Sequence, residues 1–192
     1  MSRYLKTALL LFLVILTPFT LVSCAPAVNE KLCSVFERPF SANLTVRSDD
    51  IEYRASVSLS FLPTEDTSDG GASEGENTHQ RDGSVLFTYP ETISSISAVR
   101  SGGIVRVNVS GVDVVVSENI SYKYMMLADL FDLRFSDVLE YSEGEYEAKD
   151  AAVVVYEKGD ARVKVFIDKK TGKPLAATTE ELDVVFDSFI YV

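Results

Sequence analysis

From Phe40 onward, apolar residues recur at every second position. Phe40, Ala42, Leu44 and Val46 alternate with polar residues, and Tyr53, Ala55, Val57, Leu59 and Phe61 repeat the pattern. A period of two belongs to strands with one face in a core and the other in water. Ser48-Asp49-Asp50 supplies a turn between the two runs, which predicts a hairpin. The pattern returns at Val85, Phe87 and Tyr89, then at Ile93 to Val99, Ile104 to Ser110 and Val112 to Val116. After a gap it resumes at Ala152 to Tyr156, Arg162 to Ile167, Leu175 to Glu181 and Val184 to Val192. Between the two sets the period changes: Tyr124, Leu127, Leu130 and Phe131 repeat every three to four residues, predicting a helix over 120–133 capped by Ser117 or Asn119. A second short helical piece is expected after Ser136. The expectation is an α+β domain, a strongly curved antiparallel sheet of about nine or ten strands with a helix over its concave face.

The chain begins with an address. Met1 to Lys6 carry Arg3 and Lys6, Thr7 to Val22 is uncharged and rich in Leu, Ile, Val and Phe, and the run ends in Leu21-Val22-Ser23-Cys24. A basic segment followed by a short apolar one reads as a secretory signal, and its end resembles the bacterial lipobox. That resemblance implies a diacylglyceryl group on Cys24 and cleavage before it, with residues 1–23 as signal peptide. The remainder is then held at the extracytoplasmic face of the cell membrane, and two acyl chains make the attachment stable. A retained transmembrane anchor is the alternative, because the uncharged stretch runs on to Asn29.

The charge balance, 18 Lys+Arg against 29 Asp+Glu, gives −11 and argues against nucleic acid as a partner. Removing the leader makes the rest more acidic still. Residues 24–38 read as a tether and 39–192 as one domain. Within it, 63–84 reads as a mobile acidic loop too poor in apolar residues to offset its ordering. Glu140 to Glu147 is expected to be a solvated loop.

Chemistry is scarce. There is no phosphate-binding glycine loop and no nucleophile elbow. The single histidine, His79, lies in the acidic loop. Asp66-Thr67-Ser68-Asp69-Gly70 lacks the ligand spacing of a calcium loop. With Cys24 acylated, Cys33 has no disulfide partner and reads as a structural residue. No catalytic residue, metal site or cofactor is expected. A ligand cavity is suggested by Tyr53, Val57, Phe87, Tyr89 and Val107 on strands together with Met125, Met126 and Leu130 on the helix; Met suits an adaptable apolar surface. A filled core is the alternative.

The order of elements resembles the LolA/LolB-type lipoprotein carriers and the related single-domain lipoproteins of Gram-positive bacteria. The resemblance rests on the hairpin Phe40 to Phe61 and on the phrases Gly83-Ser84-Val85-Leu86-Phe87-Thr88-Tyr89-Pro90 and Gly102-Gly103-Ile104-Val105-Arg106-Val107. It also rests on the strand–turn–strand phrase Val165 to Leu175, with Asp168, Gly172 and Pro174 in the turn. It implies a half-open β-barrel with helices over its mouth, a cavity for acyl chains and no enzyme activity. The functional expectation is a non-catalytic lipoprotein that binds a lipid, or the acyl part of a lipoprotein, between sheet and helix. The alternative is a protein-interaction or structural module of an envelope or sporulation complex.

Overall fold

The computed structural model describes residues 28–48, 51–60 and 81–192. The expected signal peptide, Cys24, most of the acidic loop and His79 lie outside the described residues. A single turn of helix, α1 (Glu30–Cys33), precedes six strands: β1 (Phe40–Ser48), β2 (Ile51–Leu59), β3 (Gly83–Tyr89), β4 (Ile96–Ser101), β5 (Ile104–Val109) and β6 (Val112–Val115). The long helix α2 (Glu118–Leu130) and a 3-10 turn (Phe135–Asp137) follow. Five strands end the chain: β7 (Val138–Tyr146), β8 (Lys149–Lys158), β9 (Ala161–Asp168), β10 (Pro174–Thr178) and β11 (Asp183–Tyr191).

All eleven strands form one open antiparallel sheet in the order β6-β5-β4-β3-β2-β1-β11-β10-β9-β8-β7. Each half is a meander, and the last strand closes on the first, pairing Phe40 with Tyr191 and Val46 with Val184. The two edge strands, β6 and β7, are consecutive in the chain, so their connection has to cross the sheet. That connection is α2 and the 3-10 turn, and α2 packs against β2, β3, β4 and β5. Ser117 stands at its N-cap in extended conformation.

The alternation predicted for β1 and β2 is realised. Ala42, Leu44 and Val46 and their partners Ala55 and Val57 are all within 2% of full burial. Turns follow the local chemistry. Gly102 and Gly103 both take positive φ and link β4 to β5 in two residues, the geometry whose twist matches a hairpin. At Gly83 a side chain is barred for another reason: a Cβ there would lie 2.6 Å from the Ser58 carbonyl oxygen across the ladder.

Four expectations are corrected. First, the described residues form eleven strands rather than nine or ten. Second, the added strand is β7, which takes in all but the last residue of the acidic run Glu140 to Glu147 that reads as a solvated loop; it lies at the edge, where charged side chains are accommodated in water. Third, the tether is part of the fold. Leu32, Cys33, Val35 and Phe36 are buried, and Phe36 is the hub of the aromatic core. Its ring centroid is 5.6 Å from Phe40, 5.4 Å from Phe131, 6.4 Å from Tyr156, 6.1 Å from Phe186 and 6.2 Å from Phe189. The Tyr156 hydroxyl donates to the Cys33 carbonyl at 2.8 Å, tying this segment to β8. Fourth, the acidic loop ends earlier than 84. Gly83 and Ser84 belong to β3, and Arg81 is fully buried.

Candidate functional site

Arg81 organises the end of the sheet nearest α1. Its guanidinium donates to the carbonyls of Ser60, Phe36 and Arg38, three groups that lie outside the strand ladders. Arg100 of β4 donates to the Arg81 carbonyl at 2.7 Å and pairs with Asp129 of α2 at 2.5 Å. On the far side of α2, Lys158 donates to the Asp132 carbonyl and lies 3.6 Å from its buried carboxylate. Burial pulls the Arg81 pKa down and the charge of Asp132 opposes that pull. These ions fix α2 and the α1 segment onto the sheet. Arg81, Arg100 and Asp132 are buried and Asp129 is half-buried, so the cluster is a brace.

The eight cavity candidates separate into four groups. Val57, Val107 and Met125 are at most 2% exposed and belong to one contiguous core, so they border no space wide enough for a ligand. Tyr53 and Phe87 are half-buried neighbours with ring centroids 6.0 Å apart. Tyr89 is on the other face. The ladder between β2 and β3 slips at Arg54/Ala55, which sets Tyr89 opposite Arg54, with the Arg54 guanidinium 5.6 Å over its ring. A one-residue slip reverses the side on which later residues point, and period counting does not anticipate it.

Met126 and Leu130 line open space. They face the β8–β9 and β10–β11 turns across a groove of about 350 Å³ whose wall is completed by Asp160, Ala161, Arg162 and Thr179 to Leu182. Met126 is 40% exposed, and Leu130 and Leu182 are half-buried. The Thr179 hydroxyl accepts from the amides of Glu181 and Leu182 at 3.3 and 3.0 Å, which folds the β10–β11 turn so that Leu182 stands at the groove. The floor is apolar and the rim carries Arg162, Glu180 and Glu181. Leu130 is named from helical spacing and Met126 from its adaptable apolar side chain; no sequence signal links them to Leu182, which reaches the groove through the β10–β11 turn. A wider depression of about 610 Å³ lies at the ends of β1, β2 and β4, lined by Phe40, Leu59, Val99 and Val192. Ser60, at its margin, is the last described residue before 61–80.

Burial pushes the Cys33 thiol up to about 11, so at neutral pH it is a protonated core residue and a poor nucleophile. Among the described residues no three His, Cys, Asp or Glu side chains gather as a metal site. No helix among them is long and apolar enough to cross a membrane.

No family model and no curated protein matches the sequence. Solved structures resemble it weakly. An uncharacterized conserved protein from Thermus thermophilus aligns at 14% identity and a TM-score of 0.49, over 84% of this chain and 83% of that one. A putative outer membrane lipoprotein-sorting protein domain from Vibrio parahaemolyticus aligns at 8% and 0.42, over 80% and 85%. A LolA superfamily protein from Nitrosomonas europaea aligns at 9% and 0.41, over 85% and 90%. Likeness this low leaves the function to be argued from this chain's own residues.

Proposed function

We propose that this chain is a lipid-anchored extracytoplasmic domain of LolA-like architecture that binds an apolar ligand, a lipid or the acyl part of a lipoprotein, without catalysis. The observation that carries this reading is the groove of Met126, Leu130 and Leu182, an apolar floor with a charged rim. Such a lining suits an acyl chain whose polar end stays in water. The groove opens beside α2, next to the contiguous core that the helix covers. The leader motif ending at Cys24 supports the anchor.

Leu130→Glu tests the ligand. The residue is only half-buried, so the variant keeps its fold while losing the apolar floor. In native mass spectrometry a lipid-mass adduct on the wild type and at least a tenfold weaker one on the variant agree with the reading; no adduct on either, or equal adducts, overturn it. Cys24→Ala tests the anchor: an unprocessed precursor without fatty-acid label agrees, and normal labelling refutes it.

One observation favours a second reading, an interaction module. β6 is an edge strand exposed on both faces, with Val112, Val114 and Val115 each at least half exposed. A bare apolar edge can add a partner's strand. Val114→Lys would abolish such pairing and leave acyl binding untouched.

A further inference from the structure

A third cavity, of about 380 Å³, is walled by Lys31, Arg38, Lys169, Lys170, Thr171 and Tyr191 among others. Four of these residues are cations and none is an acid. In a chain with 18 basic against 29 acidic residues, that composition is the reverse of the average. Three separate segments supply it: α1 gives Lys31, the stretch before β1 gives Arg38, and the β9–β10 turn gives Lys169 and Lys170.

Two neighbouring carboxylates are engaged, and a third, Asp150, adds its charge near Lys169. Asp168 accepts from the amides of Lys170 and Thr171 at 2.7 and 3.2 Å, which shapes the turn that presents the two lysines. Glu143 reaches in from β7 and pairs with Lys169 at 3.0 Å, so that charge is partly offset. Arg38 is held with its guanidinium 5.6 Å over the Tyr191 ring. Lys31 and Lys170 are exposed. A concave cluster of like charge concentrates an oppositely charged group, and a planar guanidinium beside ammonium groups suits phosphate oxygens.

We propose that this cavity binds a phosphate group, that of an anionic phospholipid headgroup or free phosphate, with Lys31, Arg38 and Lys170 as its principal contacts. The headgroup source rests on the reading that Cys24 is the membrane anchor. Asn29, also in the cavity wall, is five residues from Cys24, so the cavity stands within about 17 Å of the lipidated position along the chain. The rest of the domain is acidic and repelled by an anionic surface, so this patch would set which face of the domain meets the bilayer.

The test uses the full chain purified from membranes in a non-ionic detergent. Sodium phosphate is titrated against sodium chloride at equal ionic strength, and short-chain phosphatidylglycerol against short-chain diacylglycerol. Thermal midpoint and native mass are the readouts. Phosphatidylglycerol should bind and stabilise more than diacylglycerol does, and Lys31→Glu combined with Lys170→Glu should weaken that excess at least tenfold. Binding of inorganic phosphate with failure of the lipid would assign the site to free phosphate. No effect of either ligand beyond its control, or equal binding by the double variant, would overturn the site. The intact mass of the same sample shows whether Cys24 carries its diacylglyceryl group, so failure of the anchor is seen separately from failure of the cavity.

Discussion

The apolar face of the sheet has two covers, and they are built differently. Over β2 to β5 lies α2, three and a half turns of regular helix whose Met125, Leu127 and Ala128 are buried. Beside it, residues 29–38 pack against β1, β8 and β11 with one helical turn and irregular backbone. The irregular cover holds the centre of the aromatic core, and its carbonyls are satisfied by the side chains Arg81 and Tyr156. A regular helix satisfies its own backbone; an irregular cover needs polar side chains from the sheet to do so. That is why a buried arginine accompanies the second cover.

The contrast is broken most forcefully at Phe36. Phe36→Ala should cost about 3–5 kcal/mol, the range for a fully buried ring; a change in denaturation midpoint near zero would return the segment to a tether. Arg81→Ala comes next, at about 3 kcal/mol, because three carbonyls lose their donor inside the protein. It would also show that Arg81 is not an expendable end of the acidic loop, so a deletion through Arg81 should be far more damaging than one that stops at Gln80. On the regular cover, Met125→Ala should cost about 2–3 kcal/mol, while Met126→Ala, one residue on and facing the groove, should cost under about 0.5 kcal/mol. Equal losses would mean that the groove is closed. A gain in place of a loss is expected at the β7–β8 turn, where Glu147 and Ala148 both hold positive φ, at 48° and 60°. Ala148→Gly should gain about 0.5–1 kcal/mol in the same denaturation experiment.

The same residues show what could be read in advance. The β1–β2 hairpin and α2 announce themselves because their periodicities run long enough to stand out. β7 does not: its turn has no glycine to mark it, and its exposed glutamates imitate a loop. Residues 29–38 are too short for any period to emerge. Arg81, at the end of a polar run, reads as solvated until the three carbonyls around it are placed. Of the site, Leu130 is legible from helical spacing and Met126 from its adaptable apolar side chain. Leu182 is not, because it reaches the groove through the β10–β11 turn. Tyr89 is misplaced by a bulge, a one-residue event that composition and period do not record.

The central claim is that an acyl chain lies against α2 in the groove. It is tested most directly by photocrosslinking the protein with a diazirine-bearing fatty acid and mapping the modified peptides. The account predicts label on Met126 to Leu130 and on Thr179 to Leu182, lost when unlabelled lipid competes. Label confined to the exposed valines of β6, or none that competes, would contradict it.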